Sequence, residues 1–162
     1  MAPVNIQHHI AKIYTSRIDD CWAAATAMVM RRHSTAGTDH VKALAQAANV
    51  QLDHGTLPDS SVEFLARAVR LGFHDFQAKD ITLHELQRFL MRGPVVAFGY
   101  FNYPHRPTSN KHAVAIYALV GDGTARKTNV YLNDPSAVVN PFHDDWDHFF
   151  NNVADITYVL SY

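Results

Sequence analysis

The sequence changes character at Gly93-Pro94, and that change limits the fold classes open to the chain. Before it, segments with helical spacing of apolar or alanine residues occur at 21–33, 39–49, 60–71 and 82–91. After it, β-branched and aromatic residues form runs at 95–101, 113–120, 128–132 and 156–160. Helices followed by consecutive strands predict an α+β fold with an antiparallel sheet.

Length and composition predict one domain over residues 1–162. A chain of 162 residues, 48% of them hydrophobic, can bury a core without disulfides. We expect a helical half over about residues 15–93, a sheet half over about 94–162, and a short helix at 145–152 before the last strand. The formal net charge of -1 gives no support for a nucleic-acid or membrane-surface partner. The opening residues also lack the pattern of a secretory signal, so we expect synthesis in a cytoplasm.

Cys21 is the single cysteine of the chain, which excludes an internal disulfide and any zinc site with several cysteines. Such a residue is either buried apolar filler or a reactive thiol. Cys21 opens the predicted helix at 21–33, where the helix dipole and unpaired amides favour a thiolate and could bind an oxyanion. Because Asp19 and Asp20 disfavour a thiolate, a reactive Cys21 needs a cationic partner.

His112 and Asp134 lie where two predicted neighbouring strands meet one edge of the sheet. His112 precedes the apolar run 113–120, and Asp134 follows the run 128–132. If these strands are antiparallel neighbours, Asp134 can accept the ring N–H of His112 and set its tautomer. Each residue alone also has an ordinary structural interpretation, as a core thiol, an idle histidine and a turn aspartate. Their joint arrangement favours a catalytic triad of Cys21, His112 and Asp134.

The same residues resemble those of a known family. The motif DCWAAA at 20–25, with Met28, resembles the nucleophile helix of papain-like cysteine peptidases. The stretch from Pro94 through His112 to Asn133-Asp134-Pro135 is similar to the sheet half of compact bacterial members. These include bacteriocin leader peptidases and secreted effector proteases. The resemblance spans roughly residues 15–160 and implies a papain-like fold, with a nucleophile helix packed on the sheet and a cleft between the halves.

The family usually carries a glutamine about six residues before the nucleophile, where it completes the oxyanion hole. Thr15 occupies that position here, and Gln7 is the nearest upstream glutamine. Gln7 is therefore the candidate oxyanion donor if a longer loop returns it to the site. The alternatives are a Thr15 hydroxyl in that role and an exposed Gln7.

The expected activity is hydrolysis of peptide or isopeptide bonds through an acyl-enzyme on Cys21. The alternatives are a glutamine deamidase or transglutaminase with the same residues, acting as an effector or toxin, and a catalytically weak peptide-binding domain. The expected partner is a peptide or protein substrate. The family resemblance adds export by a dedicated secretion system, and a secretion or immunity partner.

Two histidine-containing groups suggest a metal, but their spacing does not support one. They are His8-His9 and the cluster of His143, Asp144, Asp145, Asp147 and His148. His143 and His148 are five residues apart, which misses the i, i+4 spacing of a helical metal pair, and no cysteine assists. We therefore predict neither a metal nor any other cofactor.

Overall fold

The structure, a computed structural model, describes a defined part of the chain. The described residues are 2–14, 21–30, 66, 68–73, 75–78, 80–103, 106–107, 111–136 and 142–162. The predicted helix at 39–49 lies outside them, as does most of the first half of the predicted helix at 60–71. Residues 66 and 68–70 of that second segment are helical.

Helix α1 spans Cys21–Met30, within the predicted segment 21–33. Its alanines leave room for close approach, and the helix is buried on every side from Cys21 to Val29. It shares one buried cluster with side chains of three strands: Val96, Phe98, Ala113, Ala115 and Leu160. Burial of these apolar side chains holds the N-terminus of α1 against the sheet.

Helix α2 spans Leu83–Leu90, within the predicted segment 82–91. Thr82 and Glu85 form the expected capping box, in which the Thr82 hydroxyl accepts from the Glu85 amide and the Glu85 carboxylate accepts from the Thr82 amide. Leu86 and Leu90 are buried in the cluster on the opposite face of the sheet from α1. The two helices thus contribute to different cores. None of the helices in the described ranges is long and apolar enough to cross a membrane.

The sheet contains all four runs that the sequence predicts as strands. With the shorter strands, its elements are β1 (Val4–Gln7), β2 (Asp75–Ala78), β3 (Val95–Tyr103), β4 (Arg106–Pro107), β5 (His112–Gly121), β6 (Thr128–Asn133), β7 (Phe142–Asp145) and β8 (Ala154–Ser161). The strand order is β2-β8-β3-β5-β6-β7, with β1 paired to β5 and β4 to β3, and every pairing is antiparallel. The predicted α+β class is confirmed.

The strands absent from the sequence prediction are short. β1, β2 and β7 have four residues each and β4 has two, and polar residues interrupt their apolar pattern. Because β1 and β2 precede Pro94, the sheet takes strands from both sides of the expected boundary between a helical and a sheet half. The expected helix at 145–152 is a helical turn at Trp146–His148 followed by a π-helix at Phe149–Val153.

Gly99 of β3 allows the close approach of β8 at the point where β3 pairs with His112. A Cβ atom added to Gly99 would lie 2.2 Å from the Asp155 carbonyl oxygen and 2.8 Å from the Ile156 Cα. Both are backbone atoms, which cannot rotate away. The register between β3 and β8 also shifts between Phe98 and Gly99. This bulge lets the two strands stay paired beside the predicted site.

We predict that Gly99→Ala destabilises the protein by about 1–3 kcal/mol, because the added methyl forces β3 and β8 apart. Urea unfolding monitored by circular dichroism measures this. Asn102→Ala, an exposed position on the same strand, is the control and should change the free energy of unfolding by less than about 0.5 kcal/mol. Equal unfolding midpoints for Gly99→Ala and wild type would contradict the close-approach argument.

Candidate active site

Three sequence-predicted residues lie at the ends of different elements. Cys21 is the first residue of α1, His112 is the first residue of β5, and Asp134 directly follows β6. The antiparallel register pairs Ala115 of β5 with Asn133 of β6. Continued by one to three residues, this register brings the segment 134–136 alongside 112–114. The start of β5 and the end of β6 therefore share one edge of the sheet, as the sequence predicts.

His112 and Asp134 form a direct hydrogen bond in the interior. The distance between His112 Nε2 and Asp134 Oδ1 is 2.7 Å, and the residues are 0% and 3% exposed. A charge-assisted bond of this length is strong, particularly where water does not compete for the donor and acceptor. The bond commits Nε2 to the carboxylate and leaves Nδ1 as the second nitrogen of the ring.

Cys21 is the other charged partner of His112. Burial lowers the pKa of His112, but the negative charge of Cys21 and the hydrogen bond with Asp134 outweigh it and raise that pKa to about 10. Within the described part of the chain, Nδ1 makes no hydrogen bond of regular geometry. The interaction between the sulfur and the ring is therefore mainly electrostatic, as in a thiolate–imidazolium pair.

The Asp134 carboxylate is held in its ionised form. Burial raises its pKa, but the hydrogen bond and charge of His112, followed by two hydrogen bonds from Ser136, lower it below the ordinary value. Lys12 is also close enough to interact with this carboxylate. Burial lowers the pKa of Lys12, and the charge of Asp134 partly offsets that effect. The pKa of Asp134 is thus lowered mainly by its contact with the His112 ring.

Two further side chains contact this pair. The Phe101 ring meets the His112 ring edge to face, with centroids 6.1 Å apart and an interplanar angle of 85°. Ser136 donates to Asp134 Oδ1 from its amide and from its hydroxyl, each over 2.8 Å. Ser136 was not among the predicted site residues. Its signal is the Asp-Pro-Ser order at 134–136, since an aspartate often accepts from the backbone two residues later.

Two of these side chains are completely buried. Cys21 and His112 are both 0% exposed. A cavity of about 320 Å³ lies elsewhere, between the ends of β3 and β8 and the π-helix. Its lining includes Tyr100, Asn102 and Asp155, and none of Cys21, His112 and Asp134.

The structure does not bring Gln7 to this site. Gln7 ends β1, is exposed, and donates its side-chain amide to Asn5 over 2.7 Å. It pairs with Ala118, six residues along β5 from His112. At about 3.3 Å per residue this separation is roughly 20 Å. The alternative donor, Thr15, lies outside the described residues.

Three of the four histidines considered as metal ligands contact other groups of the protein. His8 Nε2 lies 2.6 Å from the Leu90 carbonyl oxygen, His143 stacks on Tyr131 with ring centroids 5.1 Å apart, and His148 bonds Asp144. Across the described ranges, no group of three histidine, cysteine or acidic side chains could hold a metal ion.

The sequence matches a model of a known protein family. The family model described as papain-like cysteine protease AvrRpt2 matches residues 3–146, which is most of the chain. The chain belongs to this family of papain-like cysteine proteases. The matched residues include Cys21, His112 and Asp134. No protein of curated function matches the chain in sequence.

Membership confirms the resemblance drawn from the DCWAAA motif and from the sheet segment that ends at Asn133-Asp134-Pro135. Membership of this family also indicates that the chain is a cysteine peptidase. A peptide or protein substrate follows from it.

We predict that Cys21→Ser lowers the pKa of His112. Wild type keeps an imidazolium up to a pH of about 10, because the Cys21 charge is the largest of the effects that raise this pKa. A serine hydroxyl carries no such charge, so burial then acts against the protonated ring. Nitrogen-15 NMR of the histidine rings across pH 5–10 measures the change. An unchanged His112 titration in Cys21→Ser would contradict the thiolate–imidazolium pair.

Proposed function

We propose that the protein hydrolyses peptide or isopeptide bonds through a triad of Cys21, His112 and Asp134. The observation that supports the proposal is that these three side chains are buried together and that two of them act on the pKa of the third, His112. The Cys21 charge and the Asp134 hydrogen bond together raise the pKa of His112, even though burial lowers it. A cysteine poised as a thiolate beside a protonated imidazole can serve as the nucleophile of acyl transfer.

In the proposed first step, the Cys21 thiolate attacks the substrate carbonyl carbon and forms a carbon–sulfur bond. The carbonyl electrons move to the oxygen, which then carries the negative charge. First-turn amides of a helix have no intrahelical partner, so the amide of Cys21, the first residue of α1, is the proposed donor to this oxyanion. The position of Cys21 at the start of a helix therefore serves both the nucleophile and the developing charge.

In the second step, the tetrahedral intermediate collapses and the bond between carbon and nitrogen breaks. His112 transfers a proton to the leaving amine and becomes neutral, and the acyl group remains on Cys21 as a thioester. Water then attacks the thioester while His112 takes its proton. The acid product leaves, and the thiolate and imidazolium are restored. Asp134 accepts the Nε2–H of His112 throughout, so that Nδ1 performs both proton transfers.

Hydrolysis of a peptide library, read by mass spectrometry of the products, tests the proposal. We predict that Cys21→Ala and His112→Ala reduce hydrolysis by at least about 10³-fold, because either change removes a member of one catalytic unit. Asp134→Ala should reduce it by at least about 10²-fold, since the base loses its orientation. His84→Ala, on an exposed position of α2, is the control and should keep wild-type activity.

The same experiment distinguishes the reaction. Peptidase activity gives two fragments and, after an acid quench, a Cys21-bound acyl group that hydroxylamine releases. A deamidase instead leaves the peptide intact and releases ammonia, and a transglutaminase joins the glutamine to an added amine. Fragments that form equally well in Cys21→Ala, or no fragments from any peptide, would contradict the proposed function.

A further inference from the structure

Ser136 has no part in the chemical steps above, but it makes contacts with two of the residues that do. Its amide nitrogen and its hydroxyl oxygen each lie 2.8 Å from Asp134 Oδ1. The hydroxyl oxygen also lies 3.4 Å from His112 Nε2. Asp134 Oδ1 therefore accepts three hydrogen bonds, one from the base and two from Ser136.

The sequence has a second turn of the same kind at the far end of β5 and β6. There the Thr124 amide and hydroxyl donate to Asp122 Oδ1 over 2.8 Å and 2.6 Å. Both turns have the order aspartate, any residue, then serine or threonine. In both places these hydrogen bonds stabilise the turn itself. Only at 134–136 does the aspartate also accept a hydrogen bond from a buried histidine.

We propose that Ser136 is a positioning residue, whose hydroxyl and amide hold the Asp134 carboxylate in the rotamer that accepts the His112 Nε2–H. The inference rests on the proposed function, because it assigns Ser136 a role through Asp134 in orienting the base. Ser136 is then a fourth residue of the site, and it acts through Asp134 and not on the substrate.

The physical reason lies in the terminal torsion of aspartate. That torsion is broad, so the carboxylate needs further contacts to hold one orientation. Donors to an ionised oxygen give short, strong bonds, and the two from Ser136 come from one residue placed by strand register. Since the Ser136 hydroxyl proton points to Asp134, a lone pair of its oxygen faces Nε2–H as a weaker second acceptor.

The test compares Ser136→Ala with Ser136→Thr and with the matched turn variant Thr124→Ala. Each Ala variant loses one turn hydroxyl and keeps the backbone donor. We predict that Ser136→Ala lowers kcat about tenfold with KM unchanged and moves the basic limb of the pH profile to lower pH, since a poorly oriented Asp134 supports the imidazolium of His112 less well. Thr124→Ala should keep wild-type kcat and pH profile. Ser136→Thr restores the hydroxyl and should restore both.

A second measurement does not depend on hydrolysis. Nitrogen-15 NMR of His112 should show a pKa about half a unit lower in Ser136→Ala than in wild type, because a poorly oriented carboxylate supports the imidazolium less well. The thermal unfolding midpoints of Ser136→Ala and Thr124→Ala should fall to a similar extent. Stability loss alone then cannot account for a change confined to Ser136→Ala.

The outcomes separate this inference from the proposed function. Cys21-dependent hydrolysis in wild type with no kinetic change in Ser136→Ala overturns the inference and leaves the function intact. Equal kinetic losses in Ser136→Ala and Thr124→Ala, or no recovery in Ser136→Thr, also overturn it. If wild type shows no Cys21-dependent hydrolysis, the proposed function fails. The His112 titration then decides alone, and an unchanged pKa in Ser136→Ala overturns the positioning role.

Discussion

The arrangement of this site depends on a charged imidazole held away from water. Burial disfavours the protonated form of His112, and the Cys21 charge and the Asp134 hydrogen bond together exceed that effect. Removing either partner leaves the ring with a burial cost and less compensation. The interaction explains why a helix terminus, a strand start and a strand end must meet at one place.

Sheet register and helix packing bring these ends together. The antiparallel pairing of β5 with β6 places Asp134 and Ser136 beside His112, so these three residues lie at one edge of the sheet. The alanine-rich α1 packs on β3 and β5 through small side chains, and this contact sets the position of Cys21. Gly99 permits β8 to approach β3 opposite His112. The strands that form the core of the protein therefore also position the residues of the site.

The sequence predicts the elements that have strong periodicity and the residues that stand at their ends. Cys21 opens a helix, and His112 and Asp134 border apolar strands, so their positions follow from pattern alone. Strands β1, β2 and β7 were not predicted, because four polar-interrupted residues carry almost no period. Because β1 was not predicted, the position of Gln7 was not predicted either. Gln7 lies in β1 and pairs with Ala118 of β5, which keeps it away from the site. Ser136 was not predicted because Asp134-Pro135 has the sequence of an ordinary turn. Its hydrogen bonds to the Asp134 carboxylate are visible only in the structure.

The most direct test of the central claim is the pH dependence of Cys21 alkylation by iodoacetamide, in wild type and in His112→Ala. The pH midpoint is the informative quantity, because the enclosure of Cys21 slows the absolute rate at every pH. A thiolate–imidazolium pair predicts substantial alkylation of wild type near pH 6, and its loss in His112→Ala. A midpoint of about 8.5 in both proteins, that of an ordinary thiol, would contradict the account.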